Sequence, residues 1–323
     1  MPLDRTLPPT PADPRFSKPN SLFFGIGAQK CGTTWLSDYL LGHPEVATPV
    51  WKEHNYWQVV AEGGSPGRIL EAKRRQRQAM GPFFAALRDI GWTTAAKRNK
   101  GAGLALKAAD NAGWPHKGYA DAIFLGKSAD RFKSAGEISP SYALLSAETY
   151  AEMARLSDAP RFVFLMRDPV SRIVSGIRHA LNKKYPDGSF GQQAFDAMVA
   201  DVLAKNDAHI AVQMSRYDLT ITALESVVPA DQIGYFFFET FFDQDEVNRL
   251  CRFLSISEHP AELDKVVHRG KGKKTELRDE DRVRLATYLA PCYTALRAKF
   301  GADLPAAWAK SAALIGSEKI VDA

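Results

Sequence analysis

The segment LFFGIGAQKCGTTW, residues Leu22–Trp35, decides the fold prediction for this chain. It begins with the apolar run Leu22–Ile26 and continues through the glycine-rich segment Gly25–Gly32. Apolar residues then recur at helical spacing between Thr33 and Leu41, so the order is strand, tight loop and helix start. Glycines at such a junction let backbone N–H groups approach an anion, and the helix N-terminus adds positive potential. The segment therefore predicts an anion-binding loop.

The side chains of this loop favour the same interpretation. Lys30 supplies a positive charge inside the loop, and Thr33 and Thr34 supply hydroxyl groups on the first helical turn. A plain turn would need the glycines alone. Gly27 and Gly32 have the spacing of a Walker A motif, but Thr33 stands where that motif has its lysine. The loop thus predicts anion binding in a manner unlike that of an ordinary ATPase.

A second strand-to-helix junction lies at Arg167–Ser175, directly after the apolar run Arg161–Met166. Open α/β sheets bind ligands where strands end and helices begin. Arg167 offers a planar guanidinium group for phosphate oxygens, and Ser175 follows about two helical turns later with a hydroxyl group. The alternative is a local ion pair between Arg167 and Asp168 that caps the helix. Together with the first loop, the segment favours ligand binding.

Strand-sized apolar runs alternate with amphipathic helical patterns along most of the chain. This alternation predicts an α/β fold, with one P-loop-like domain whose central parallel sheet is flanked by helices. The domain is predicted to span residues 21–301, with residues 63–127 as a mainly helical insertion or cap. Residues 1–20 contain six prolines and are predicted to form a flexible leader, and residues 302–323 a C-terminal tail.

Composition narrows the class of protein. Hydrophobic residues make up 45% and charged residues 24%, which is typical of a soluble globular protein, and no apolar run approaches the ~20 residues of a membrane span. The net charge of +5 is too small to indicate a nucleic-acid partner by itself. Cys31, Cys251 and Cys292 lack metal-binding spacing, so neither a zinc site nor a disulfide framework is predicted. With no signal peptide after Met1, we expect a cytoplasmic protein.

Both junctions resemble motifs of the sulfotransferases that use 3′-phosphoadenosine 5′-phosphosulfate (PAPS). The sequence KCGTTW at Lys30–Trp35 is similar to the K-x-G-T-T-W loop of that family. Arg167–Ser175 is similar to the family's 3′-phosphate motif, and its R-D-P-x-x-R sequence is closer to the carbohydrate and bacterial branches than to the cytosolic enzymes acting on small phenols. Weaker resemblance covers Gly136–Tyr142, Phe236–Asp243 and Leu277–Gly301.

The resemblance implies PAPS as co-substrate, 3′,5′-ADP (PAP) as product, and no metal. The residues implied for the 5′-phosphosulfate are Lys30, Gly32, Thr33 and Thr34, with Cys31 as a small residue of the same loop. Those implied for the 3′-phosphate are Arg167 and Ser175. Trp35 either packs near the adenine or belongs to the core. The segment with Arg269, Gly270 and Lys271 is similar to a basic loop that closes over the nucleotide, or else is a solvated loop.

The resemblance also implies a general base. The sequence EHNYW at Glu53–Trp57 is similar to the segment that supplies a glutamate base in carbohydrate sulfotransferases. Glu53 is therefore the first candidate, and Lys30 would stabilise the leaving phosphate. His54 is the rival, because an unperturbed histidine pKa near ~6.5 also suits a base. A surface ion pair between Lys52 and Glu53 is the alternative without catalysis.

Two other functions stay open at this point. One is a P-loop-like kinase, in which Asp168 would act as a Walker-B-type carboxylate after its strand. The other is a non-catalytic protein that binds an anion or a nucleic acid. For a sulfotransferase, the expected partner is a small-molecule or glycan hydroxyl group, or an amine. The sequence specifies neither the acceptor nor the oligomeric state.

Overall fold

The structure, a computed structural model, describes residues 12–49, 52–61, 115–264 and 275–316. Most of the predicted insertion at residues 63–127 lies outside these ranges. The basic loop residues Arg269, Gly270 and Lys271 lie outside them as well. The following account concerns the described residues.

A parallel sheet forms the centre of the described part of the chain. Its five strands are β1 Ser21–Gly27, β2 Val46–Ala47, β3 Ser134–Ile138, β4 Pro160–Met166 and β5 Ile233–Phe237. The strand order is β2-β3-β1-β4-β5, and every neighbouring pair is parallel. β1 is buried along its whole length, as expected for a central strand covered on both faces. The predicted α/β class is confirmed.

Helices cover the sheet. Those of the described residues are α1 Thr33–Gly42, α2 Tyr56–Ala61, α3 Lys117–Phe124, α4 Ala147–Ala154, α5 Pro169–Lys184, α6 Gln192–Lys205, α7 Ile210–Gln213, α8 Tyr217–Glu225, α9 Phe238–Phe241, α10 Gln244–Phe253, α11 Asp279–Tyr288, α12 Ala290–Phe300 and α13 Ala306–Ala312. In the part of the chain that the structure covers, no helix combines the length and apolar character needed to cross a membrane.

The apolar run Gln232–Thr240 predicts a buried strand, but the strand is shorter in the structure. β5 ends at Phe237, and α9 begins at the next residue. Phe236 and Phe241 are both fully buried, and the centres of their rings lie 5.5 Å apart. An apolar run indicates burial but does not distinguish a buried strand from a buried helical turn, so the predicted strand was too long.

The described parts of the predicted leader and tail each bury one large aromatic side chain. Residues 12–20 pack on the domain, because Phe16 is fully buried and the side chain of Asp13 caps a short 3₁₀ helix at Pro14–Ser17. Near the other end, Trp308 of α13 is buried and meets the ring of Phe237 edge-on at 5.4 Å. In both segments, the free energy gained by burying one large aromatic side chain is greater than the tendency of the local composition to form a loop.

His43 joins the end of α1 to the segment after α10. It is 3% exposed, its Nδ1 accepts the N–H of Glu45 at 3.2 Å, and its Nε2 donates to the carbonyl of Ser257 at 3.0 Å. Burial lowers the pKa of His43, and neighbouring His259 lowers it further, whereas the Ser257 bond opposes the shift. His43 is therefore held in the neutral form in the folded protein.

A dependence of stability on pH follows from this arrangement. Because the pKa of His43 is lower in the folded protein, the unfolded chain binds more protons as pH falls below ~6.5, and the free energy of unfolding should decrease. We expect His43 to contribute at most about 1.4 kcal/mol per pH unit. Urea unfolding at about pH 7.5 and about pH 5.5 measures the effect, which should shrink in His43→Gln. An equal pH dependence in both proteins would contradict it.

Candidate functional site

The two strand-to-helix junctions meet at one edge of the sheet. β1 and β4 are neighbouring parallel strands, so the loops that follow them emerge on the same side. The N–H of Ala28 donates to the carbonyl of Leu165 at 2.7 Å and ties the first loop to the end of β4. Burial lowers the pKa of Lys30, and the nearby cations of Lys52 and Arg167 lower it further. The loops that carry Lys30 and Arg167 therefore lie side by side at this edge of the sheet.

The backbone of the first loop turns sharply to begin α1. Lys30 has a φ angle of 73° and Gly32 one of 90°, both in the left-handed region. A side chain at Gly32 would also place its Cβ 3.0 Å from the ring of Phe242, so glycine is required there on two counts. α1 begins at Thr33, and its first N–H groups, which lack helical partners, face the end of the loop. Such a helix start can hold an anion.

Lys52 is the site residue that sequence reasoning missed. Its side chain is 18% exposed, and its ammonium group donates to Thr34 Oγ1 at 2.8 Å and to Thr33 Oγ1 at 3.1 Å. The same ammonium group lies 3.5 Å from a carboxylate oxygen of Glu53. Burial lowers the pKa of Lys52, and Glu53 opposes this shift. Lys52 is thus a partly buried link between the first loop and the candidate base, and its ion pair with Glu53 belongs to the candidate site.

Glu53 and His54 differ in their access to a substrate. The side chain of Glu53 is 47% exposed, whereas His54 is 4% exposed. Glu53 has a φ angle of 64°, and its N–H donates to the carbonyl of Ile138 at 3.1 Å, which fixes the segment against the end of β3. A general base must reach the proton that it removes. The geometry therefore favours Glu53 over the buried His54.

A buried carboxylate stabilises the segment that contains Glu53. Glu137 of β3 is 1% exposed and accepts hydrogen bonds from Tyr142, from Ser139 at 2.7 Å and from Tyr119 at 3.3 Å. Burial raises the pKa of Glu137, and these hydrogen bonds oppose the shift. Ser139 in turn accepts the N–H of Asn55 at 3.0 Å. Glu137 therefore holds the chain that follows Glu53 in place through Ser139; its sequence signal was only the weak resemblance at Gly136–Tyr142.

Asp168 has a structural role at the second junction. One of its carboxylate oxygens accepts the N–H of Ser171 at 2.8 Å and caps α5, and the other accepts the hydroxyl of Tyr293 at 2.7 Å. The side chain is 3% exposed. The capping role considered from the sequence is correct, but the partner of Asp168 is Tyr293 and no ion pair with Arg167 is present among the described residues. Both oxygens are engaged within the protein.

The guanidinium group of Arg167 packs against an aromatic ring at the second junction. The group lies 4.5 Å from the centre of the Phe238 ring, in a cation–π contact that orients it without using its hydrogen-bond donors. Ser175 lies two turns along α5 and is half-buried. The structure thus places both residues at the junction, while their role in holding a phosphate stays a prediction.

Trp35 belongs to the core and also borders a cavity. It is 5% exposed, its indole N–H donates to the carbonyl of Glu262 at 3.1 Å, and its ring stacks on Tyr39 at 5.5 Å. Trp35 and Tyr39 line a cavity of about 240 Å³ together with Asp38, Gly42, His259, Pro260 and Glu262. Core packing is therefore established for Trp35, and contact with an adenine stays a prediction.

The thiol of Cys31 is unreactive at neutral pH. It is fully buried, and burial raises its pKa to about 11, so it is protonated at neutral pH. A thiolate is the reactive form of cysteine, which agrees with the prediction of a small, non-nucleophilic loop residue. Within the described ranges, no cluster of three or more His, Cys, Asp or Glu side chains is arranged to hold a metal ion.

Three solved structures are similar to this chain, and the first of them shares its fold. A sulfotransferase from Alicyclobacillus acidocaldarius aligns with a TM-score of 0.57 at 19% identity, covering 91% of this chain and 99% of the other. The sulfotransferase domain of the Synechococcus PCC 7002 olefin synthase aligns at 18% identity over 75% of both chains, with a TM-score of 0.41. The corresponding domain of the curacin biosynthetic pathway aligns at 15% identity over 74% of this chain and 75% of its own, with a TM-score of 0.42.

Comparison by sequence identifies the family. No curated protein matches the chain significantly. A family model described as "Sulfotransferase family" matches residues 23–260, which include β1 to β5 and every candidate site residue between Lys30 and Ser175. Because this match covers well over half of the sequence, the chain belongs to the sulfotransferase family.

Proposed function

We propose that the protein transfers a sulfuryl group from PAPS to an acceptor hydroxyl or amine by in-line displacement. The proposal is supported by the meeting of the two loops after β1 and β4, which carry Lys30 and Arg167, and by Lys52, which contacts Thr33, Thr34 and the half-exposed Glu53. The cations match a doubly phosphorylated donor, and the carboxylate matches the proton that an acceptor must lose. The family membership of the chain supports sulfuryl transfer in general.

The donor side requires charge stabilisation. Sulfuryl transfer resembles phosphoryl transfer, in which the attacking and leaving oxygens lie in line and the protein positions and stabilises them. Lys30, the loop amides and the Thr33 and Thr34 hydroxyls would bind the 5′-phosphosulfate and stabilise charge on the leaving phosphate. Arg167 and Ser175 would bind the 3′-phosphate. PAP is the resulting product.

The acceptor side requires a base and a second cation. Glu53 would accept the proton of the attacking hydroxyl group as the new S–O bond forms. Lys52 lies between Glu53 and the loop hydroxyls, so its ammonium group would stabilise negative charge on the sulfuryl oxygens during transfer. The expected acceptor is a small molecule or a glycan, and a cytoplasmic location stays a prediction.

The kinase alternative has less support. A Walker-B-type carboxylate must have an oxygen available for a metal-bound water, whereas both oxygens of Asp168 are engaged by Ser171 and Tyr293. A non-catalytic protein that binds an anion or a nucleic acid would not need the carboxylate of Glu53 beside Lys52. We therefore retain sulfuryl transfer as the proposed function.

Thermal unfolding with 3′,5′-ADP tests the donor side. At about 100 times its dissociation constant the ligand should add about 2.7 kcal/mol of stability, equivalent to a Tm increase of about 4 °C for a chain of this size. Lys30→Ala should reduce this shift and abolish sulfuryl transfer from PAPS to a panel of hydroxylated acceptors. Lys18→Ala, at an exposed lysine 3.7 Å from Asp130, is the control and should behave like wild type. Normal turnover by Lys30→Ala would overturn the site.

A further inference from the structure

Tyr217 joins the two junctions through its hydroxyl group. The side chain is fully buried at the start of α8, outside both sequence motifs. Its hydroxyl donates to the carbonyl of Arg167 at 3.0 Å and accepts from the N–H of the same residue at 3.4 Å. It is therefore hydrogen-bonded to both backbone polar groups of Arg167. The hydroxyl also lies 3.6 Å from the thiol of Cys31 in the first loop. One buried group thus contacts both anion-binding segments.

The contact with Cys31 is a hydrogen bond donated by sulfur. A tyrosine hydroxyl has one proton, which the carbonyl of Arg167 receives. Because burial raises the pKa of Cys31 to about 11, the thiol keeps its proton and can donate to Tyr217. The protonated thiol therefore lets the Tyr217 hydroxyl contact the first loop while its own proton stays on the carbonyl of Arg167.

Arg172 makes a second connection between the same segments. It lies on α5, is 1% exposed, and donates from Nη1 to the carbonyl of Gln29 in the first loop at 3.2 Å. Its other donors reach Ser215 Oγ at 2.5 Å and the carbonyl of Ala211. Among the described residues no carboxylate pairs with this guanidinium group. A buried cation held only by neutral groups is costly, and its positive potential extends into the adjoining loop.

We infer that Tyr217 and Arg172 are positioning residues that fix the loop around Lys30 relative to Arg167, so that the two phosphate groups of one nucleotide are bound as a unit. The inference rests on the proposed function. Neither residue is placed where it would touch the ligand; each holds backbone groups of the segments that would. When one phosphate group binds its segment, the connected segment is already held in position to bind the other phosphate group.

Calorimetric titration with three nucleotides tests the inference. Dissociation constants are measured for 3′,5′-ADP, 5′-AMP and 3′-AMP with wild type and with Tyr217→Phe, which keeps the ring and removes the hydroxyl. We expect the advantage of 3′,5′-ADP over either monophosphate to fall by about fivefold in the variant, the effect of losing about one net hydrogen bond. The constants for the monophosphates themselves should change by less than about twofold, because each uses one segment.

Tyr150→Phe is the matched control. Tyr150 is also fully buried, and its hydroxyl donates to the carbonyl of Tyr142 at 2.6 Å without contact to either anion-binding segment. This variant should lose stability but keep the wild-type ratio of dissociation constants. Arg172→Lys, checked for folding by circular dichroism, should lower the ratio as Tyr217→Phe does; if it fails to fold, the tyrosine variant decides.

The possible outcomes separate the inference from the proposed function. Failure of the wild-type protein to bind 3′,5′-ADP would overturn the proposed function. Tight binding by wild type with an unchanged ratio in Tyr217→Phe would overturn the inference alone. A uniform weakening of all three nucleotides would mean that Tyr217 only stabilises the fold, and would also overturn it.

Discussion

Replacing Glu53 with glutamine is expected to lower kcat for sulfuryl transfer by about 10²–10⁴-fold, the usual effect of removing a general base. Glutamine keeps the size and hydrogen-bonding reach of the side chain but cannot accept the acceptor proton. Binding of 3′,5′-ADP should be nearly unchanged, because the proposed role of Glu53 is to accept a proton from the acceptor and not to bind the phosphate groups. Steady-state rates with PAPS and an active acceptor, together with the nucleotide-induced Tm shift, measure both effects.

Two comparisons make this result specific. Glu258→Gln changes another exposed glutamate in an ion pair, with Arg252 at 2.5 Å, and should leave kcat unchanged. His54→Gln should destabilise the fold, because His54 is buried, without the same selective loss of kcat. If Glu53→Gln turned over normally while the histidine variant folded and lost activity, His54 would be the base.

Lys52→Met is expected to produce the second large loss, about 10²–10³-fold in kcat. Methionine keeps the unbranched apolar stem that fills the space beneath Glu53 and removes only the charge and its hydrogen bonds. The ammonium group lies within 3.1 Å of both loop hydroxyls and 3.5 Å from the Glu53 carboxylate, so its charge acts where the sulfuryl group would cross. Kinetics with PAPS as the varied substrate should show a reduced kcat and a smaller change in KM.

The control for this variant is Lys205→Met. Lys205 is an exposed lysine on α6 that pairs with Asp201 at 2.8 Å, four residues earlier. Its replacement should change neither kcat nor KM, since such surface pairs contribute only about 0.3–0.5 kcal/mol to stability. An increase in KM with an unchanged kcat in Lys52→Met would show that Lys52 merely binds the donor, contrary to the proposed role.

The two junctions could be predicted because their signals are local. Glycine at position 32 marks the sharp turn before α1, and Pro169 with Asp168 marks the start of α5. Parallel strands carry their loops at the same edge, so the meeting of Lys30 with Arg167 followed from the predicted fold. Element limits were less certain where an apolar run, such as the one ending at Phe241, fits a strand and a helical turn equally well.

The supporting contacts could not be predicted, because they join residues far apart in the sequence. Lys52 next to Glu53 has the pattern of a surface ion pair, and its burial against Thr34 depends on how the segment after β2 folds back over α1. Tyr217 and Arg172 likewise have ordinary core positions within their helices. Only the packed structure shows that their polar groups are directed at the backbone of the anion-binding segments.

The order of the strands separates two tasks that an enzyme of this kind must combine. The groups proposed to hold the donor follow β1 and β4, whereas Glu53 is hydrogen-bonded to the end of β3, on the other side of β1 from β4. Substitutions around β2 and β3 can therefore change the acceptor preference while nucleotide recognition is conserved. With this arrangement, the range of acceptors can diversify in evolution while the sulfuryl donor stays the same.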